Sequence, residues 1–202
     1  MEIHKKIVIF GCGGHSRSVA DIALANNPDV LIVFVDVNAK DGETIYGFTV
    51  VKEYSDDSLP VFIAIGDNKN RKQKFEGLDG VTFASIVSSN AHIGRGAVLG
   101  EGCFVGNYCH IGPEVRIGDN TIINNASIVE HEVKVGCHCH IGPNVTISGR
   151  CIIGDLVFVG VGAKIKDYVK ICSNVTIGAG ATVVKNIDVP GIYVGTPAIR
   201  IK

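Results

Sequence analysis

From Val87 to Val183 an aliphatic residue stands at every sixth position without a slip, through Ile93, Leu99, Val105, Ile111, Ile123, Val129, Val135, Ile141 and onward. Two residues before each comes a small or β-branched one, among them Cys103, Cys109, Thr121, Ser127, Val133, Cys139 and Cys151. Gly often follows the aliphatic, as at Gly94, Gly112, Gly118 and Gly142. A period of six held this long predicts a hexapeptide parallel β-helix. Each unit makes one short strand and one turn. The aliphatic points into the prism, the small residue fills a crowded corner, and Gly is expected to permit the turn geometry.

Residues 1–84 follow another rule. Lys6–Phe10 reads as a buried strand running into Gly11-Cys12-Gly13-Gly14-His15-Ser16, after which Val19, Ile22 and Ala23 share one helical face. Val30–Asp36 and part of Pro60–Asn68 read as further strands, with a short basic helix near Asn70–Phe75. Strand, Gly-rich turn, helix, strand is the pattern of a parallel sheet. The fold class is therefore an α/β Rossmann-like domain over residues 1–84, followed by an all-β parallel β-helix over residues 85–202. The free N–H groups that open the first helix suit a phosphate. Gly11 and Gly13 fit the dinucleotide fingerprint, but its third Gly is Ser16, and one strand–turn–helix unit is short for a dinucleotide domain. A mononucleotide-type site and a turn without a ligand both stay open.

A net charge of -1 supplies no broad basic field for nucleic acid or an acidic membrane surface. The apolar runs break well before the roughly 18 residues of a spanning helix, so no membrane insertion is expected. The N-terminus lacks a signal-peptide pattern, so a cytoplasmic location is expected, and the seven cysteines read there as reduced thiols. Cys137-His138-Cys139-His140 has the look of a metal cluster. Cys139 has the inward phase, however, and neighbours in extended chain point opposite ways, so no metal is expected.

One segment of the repeat changes character: Ser127–Gly136, SIVEHEVKVG. Ser127 and Val133 keep the corner phase, Val129 and Val135 the core phase, and Glu130-His131-Glu132 occupies the outward positions between. A charged triplet there leaves the core intact.

The Gly-Gly-His-Ser turn in a small α/β domain, the Ala64-Ile65-Gly66-Asp67-Asn68 strand end, the hexapeptide solenoid and Val129-Glu130-His131-Glu132 within it together resemble one family. It is the nucleotide-sugar acyltransferases of the left-handed β-helix superfamily: bacterial N-acetyltransferases of 4-amino-4,6-dideoxy sugars and the related sialic acid O-acetyltransferases. The resemblance covers nearly the whole chain. It implies a left-handed helix and a homotrimer with active sites between subunits. It also implies acetyl-coenzyme A along the solenoid wall and a nucleotide-linked sugar on the front domain. His131 would be the general base, oriented by Glu132. His140, Asn124, Val161, Ala179 and Lys185 would serve acetyl-CoA, with the Gly149 N–H on the thioester oxygen. Gly11, Gly13, Gly14, His15, Asp36, Gly66, Asn68 and Arg71 would hold the nucleotide sugar, Arg71 through a phosphate. Asp67 departs from the Asn common in the family. The tail Val194–Lys202 would lie near coenzyme A, with Arg200 and Lys202 as phosphate contacts.

The residue types suit that chemistry. An amine attacking a thioester becomes cationic and must lose a proton, which imidazole accepts at neutral pH. The thioester oxygen gains charge that a preplaced N–H stabilises. Three other functions stay open: sugar O-acetylation, a metal-dependent hydratase of the carbonic anhydrase type using His110, His131, His138 and His140, and a non-catalytic binding module.

Overall fold

The computed structural model describes residues 5–55 and 58–202. The front domain runs β1 (Lys6–Phe10), α1 (Gly14–Asn26), β2 (Leu31–Val35), β3 (Thr44–Ile45), β4 (Phe48–Val51), β5 (Val61–Ile63) and α2 (Asn68–Glu76). Its sheet has the order β3-β4-β2-β1-β5, parallel except for the β3–β4 hairpin. Central β1 is apolar on both sides because both faces are covered: Ile7, Val8 and Ile9 are buried. The hairpin is an addition to the sequence reading. It turns on Tyr46-Gly47, both left-handed at φ 53° and 83°, as a tight two-residue turn requires.

From Ile86 onward two-residue strands wind into three parallel walls. The first runs from Ile86–Val87 through His140–Ile141 to Val175–Ile177 and is extended by the tail strands Gly191–Val194 and Ile199–Arg200. The second runs from His92–Ile93 to Thr182–Val183, the third from Val98–Leu99 to Lys170–Ile171. Strand partners lie one coil apart: His110 pairs with Ile128 and His140 with Phe158. The inward residues form one core in which Val105, Ile111, Ile123, Val129, Ile141, Ile147 and Val159 are fully buried.

Two expectations need correction. The glycines after the inward aliphatics do not make the turn. A Cβ on Gly94, Gly112 or Gly118 would meet the main chain of the next coil at 2.6–2.7 Å, so Gly is there because the coils approach too closely for anything else. The left-handed conformation falls two residues later, at every sixth residue from Gly96 to Gly180, and includes Tyr108, Glu114, Asn120, Glu132, Arg150 and Tyr168. Such a backbone costs about 1–2 kcal/mol for a residue with a Cβ. A hydrogen bond to the preceding coil offsets it: the N–H of Glu132 donates to Pro113 O at 2.9 Å and that of Arg150 to His131 O at 3.0 Å.

The corner cysteines are also more than small apolar fillers. The Sγ of Cys109, Cys139 and Cys151 each donates to a carbonyl of the next coil at 3.0 Å. Ser127 and Thr121 place their hydroxyls in the same bond, at 2.8 and 2.9 Å. The corner accepts a small side chain with a hydrogen to give.

The front domain sits on the first wall. Ile86, Phe104 and Ile122 occupy outward positions of the repeat, yet they are buried and belong to the front domain's core. Burying one such side chain is worth about 1.5–3 kcal/mol, so the seam is part of the fold.

Gly118→Ala is expected to cost about 1–3 kcal/mol, because its methyl must push two coils apart. Gly162→Ala, left-handed at φ 69° with open space around the new methyl, should cost only about 1 kcal/mol. Denaturant midpoints of the two variants would rank them; equal costs would contradict the close-approach explanation.

Candidate active site

The solenoid has three edges, and residues one coil apart stack along each. On the edge between the second and third walls stand His131 and, one coil on, Gly149, with Lys185 further along. His131 Nδ1 lies 2.9 Å from Glu132 Oε2. The ring lies over Gly149: a Cβ there would be 2.6 Å from Nε2. Gly149 is thus what admits the imidazole. At the same turn position, the N–H groups of Glu101, Asn107, Cys137 and Asp155 each donate to a side chain one coil on, at 2.8–2.9 Å. Among the described residues the Gly149 N–H has no such partner. Bonds from His131 and Arg150 hold the Glu132 carboxyl below its ordinary range.

Arg150, which sequence reasoning missed, bonds the same Glu132 oxygen at 2.8 Å and donates to the Tyr168 hydroxyl at 2.8 Å. Glu132, Arg150 and Tyr168 are successive members of the left-handed column. The coil spacing, applied to outward as well as inward residues, would have found them. Glu132 and Arg150 border an open cleft of about 420 Å³ with Glu114, Arg116, Lys134 and Ile152.

His140 stands elsewhere, on the first wall beneath the front domain. Its Nδ1–H donates to Gly66 O at 3.2 Å, and Asn124 Nδ2 lies 3.3 Å from Nε2. His15 packs edge-on against Phe104, with its ring 6.3 Å from that of His140, and among the described residues its buried Nε2 has no hydrogen-bond partner. Burial lowers His140 to about 4 and His15 to about 3. A cleft of about 650 Å³ opens between the α2 N-terminus and this wall, lined by Gly66, Asn68, His140, Phe158 and Thr176. Val161 and Ala179 lie exposed on the edge between the first and second walls. In a three-walled prism the His131 edge faces away from the first wall, so one chain does not bring His131 and His140 into a single site.

The front-domain residues divide. Gly11 needs its lack of a Cβ, at φ 105° with Ala64 O 3.0 Å from where one would be. Gly13 and Gly14 face open space. Asp36 accepts from the N–H of Cys12 at 3.0 Å and of Asn38 at 2.9 Å. Burial raises its pKa, but those bonds outweigh it and the net direction is down. Gly11 and Asp36 line a cleft of about 700 Å³ with Phe10, Lys52 and Lys74.

Arg71 is a correction. It is 1% exposed and donates to the carbonyls of Asn120, Ile65, Gly66, His138 and Cys139 and to Asn68 Oδ1, at 2.8–3.1 Å. With every N–H engaged it has none to offer a phosphate; it clamps the Gly66 loop to the solenoid. Asn68 shares the seam, donating to Val157 O at 3.2 Å. Asp67 has a local role as the α2 N-cap, accepting from the Asn70 N–H at 2.9 Å. Among the described residues no group of His, Cys, Asp or Glu is placed to hold a metal ion; His138 Nδ1 lies 2.9 Å from Asn120 Nδ2 and Cys139 points inward. Nor is any described helix long and apolar enough to cross a membrane.

An α/β front domain seated on a hexapeptide solenoid, with an imidazole–carboxylate pair on an open edge, defines a two-part transferase of the hexapeptide-repeat class. The chain carries a PglD-type N-terminal domain and bacterial transferase hexapeptide repeats. The PglD N-terminal domain model matches residues 6–78, and the bacterial transferase hexapeptide model matches 96–131 and 132–167. The acetyltransferase domain of PglB from Neisseria gonorrhoeae FA1090, also solved with acetyl coenzyme A, is similar along its length. It has 28% identity, 98% of this chain and 100% of that one covered, and a TM-score of 0.92. PerB from Caulobacter crescentus, solved with CoA and GDP-perosamine, has 28% identity, 98% and 97% covered, and a TM-score of 0.87. WeeI from Acinetobacter baumannii AYE has 25% identity, 96% and 99% covered, and a TM-score of 0.89. No curated protein sequence matches the chain.

Arg71→Met would strand several buried carbonyls and is expected to cost about 3 kcal/mol or more, read as a lowered unfolding midpoint. An unchanged midpoint would refute the clamp. Acid should also loosen the seam. Below the ordinary value of 6.5 the unfolded chain binds protons that buried His140 and His15 refuse until about 4 and about 3. Stability therefore falls as pH drops from 6.5 through that window. His15→Phe should reduce the difference in melting temperature between about pH 7.5 and about pH 5; an undiminished difference would show that His15 is not part of it.

Proposed function

We propose that the protein transfers acetyl from acetyl-CoA to the amino group of a nucleotide-linked aminosugar, with 4-amino-4,6-dideoxy sugars as the acceptor class. The observation that carries the reading is the His131 ring: Nδ1 bound to Glu132 at 2.9 Å, Nε2 directed over a glycine whose N–H is unclaimed. Glu132 fixes the tautomer with the proton on Nδ1 and leaves Nε2 as the base. The amine attacks the thioester carbon and Nε2 takes the proton it sheds. The Gly149 N–H meets the charge developing on oxygen, and collapse of the intermediate expels the coenzyme A thiolate. No covalent enzyme intermediate is needed.

The relatives solved with acetyl coenzyme A and with CoA and GDP-perosamine support the substrate classes. The front cleft at Gly11 and Asp36, next along the chain to the Gly13-Gly14 start of α1 where a Cβ would meet only open space, suits the nucleotide's phosphates. Since the His131 edge and the His140 wall lie on different sides of the prism, the complete site is assigned to the junction of two copies in a homotrimer. There His140, Asn124, Val161 and Ala179 of one copy and His131, Glu132, Gly149 and Lys185 of its neighbour would meet acetyl-CoA. O-acetylation uses the same base and differs only in the acceptor.

Coenzyme A release with a panel of nucleotide-linked aminosugars tests the activity. His131→Ala should lower turnover about 10²–10⁴-fold with the melting temperature unchanged. Gly149→Ala should also lose most activity, because its methyl evicts the ring. Near-normal turnover in His131→Ala would sink the mechanism.

A further inference from the structure

We infer that Arg150 is a positioning residue for the proposed base: it holds the Glu132 carboxylate against His131. The inference rests on the role proposed for His131.

His131 and Arg150 share a single oxygen, Glu132 Oε2, at 2.9 and 2.8 Å. Arg150 is fixed from its other side by the Tyr168 hydroxyl at 2.8 Å, with the guanidinium 5.5 Å from that ring. The main chain sets the same order, since the Arg150 N–H donates to His131 O and the Tyr168 N–H to Gly149 O. Glu132, Arg150 and Tyr168 thus form a ladder with one rung per coil, each in the left-handed conformation. The Glu132 and Arg150 side chains are 41% and 45% exposed. An ion pair so open to water adds little to stability, so folding alone does not account for the ladder. It does determine where the carboxylate can be. A long acidic side chain on an open edge samples many rotamers, and a fixed cation on the far side of the shared oxygen restricts it to the one that meets Nδ1. The lowered Glu132 pKa and the raised Arg150 pKa, both from these bonds, agree with the coupling.

The surrounding charge points the same way. Glu130 and Glu132 flank His131 on its own turn. Glu114 and Arg116 come from the coil before and Lys134 from the strand that follows; Arg150, Lys166, Asp167 and Tyr168 come from the coils after. Arg150 is the cation among them that bonds the Glu132 carboxylate, so its loss leaves that carboxylate free to turn from the ring toward Arg116 and Lys134.

The test is a double-mutant cycle with kcat and KM measured separately: wild type, Arg150→Met, Glu132→Gln and the pair, with Arg150→Lys and His131→Ala alongside. Met bears the left-handed backbone no worse than Arg, and matching melting temperatures would show that folding is intact. Arg150→Lys serves should Met fail to fold. Arg150→Met should lower kcat roughly tenfold with KM for both substrates held. Arg150→Lys should recover part of the loss, and Arg150→Met should cost nothing further in the Glu132→Gln background. Full additivity with Glu132→Gln, or a raised KM for acetyl-CoA at unchanged kcat, would overturn the inference. An active His131→Ala would overturn the base and this inference together. An inactive His131→Ala beside a wild-type-like Arg150→Met would overturn the role of Arg150 alone.

Discussion

Main-chain hydrogen bonds draw each coil of the solenoid against the next, and at the glycines that follow many of the inward aliphatics they leave no room for a Cβ. The other features of the solenoid follow from this closeness. The turn must be completed by a left-handed residue two positions on, whatever its side chain, because its N–H has a carbonyl waiting on the coil before. Corner side chains must be small, and those that carry a hydrogen give it to the coil beyond. Residues one coil apart therefore stack in columns as fixed as the core itself.

The columns explain how a solenoid carries a site. The core occupies the inward positions, and edge and wall residues are free of it. On one edge His131 lies on Gly149, and Glu132 meets Arg150. The outward residues of the first wall act differently, since Phe104 and Ile122 close the core of the front domain and His140 lies under its Gly66 loop. Arg71 pins that loop with carbonyl dipoles and no carboxylate partner. The seam therefore depends on main-chain geometry that neither salt nor mild acid titrates away, apart from the two buried imidazoles.

The inward phase was legible because selection for a packed aliphatic core leaves a mark at every sixth residue. The front sheet was legible in part, since buried strands such as Lys6–Phe10 announce themselves. The short Tyr46-Gly47 hairpin did not, because two-residue strands carry too little pattern. His131 and Glu132 stood out as charge inside an apolar repeat. Arg150 did not, since an arginine on an outward turn looks like any solvated residue until the coil spacing is applied to it. Arg71 was misread for the opposite reason: in a polar helix its charge suggested a phosphate, and nothing local announces burial against a distant edge. The post-aliphatic glycines were assigned to turn geometry because sequence cannot separate a glycine needed for its backbone angle from one needed for its missing methyl.

The ladder Glu132–Arg150–Tyr168 also bears on how such a chain can change length. Three six-residue units return the chain to the same wall, so eighteen residues form the smallest segment whose gain or loss keeps every inward residue inward and every wall on its own side. Adding or removing a single unit would keep the core pattern but carry every later residue to the next wall, moving Gly149 from beneath His131 and Arg150 away from Glu132. Whole-coil changes beyond Tyr168 would leave the edge intact and alter only the length of wall available to an extended ligand. The geometry that fixes the site thus also confines neutral length variation to one step size and to one end of the solenoid.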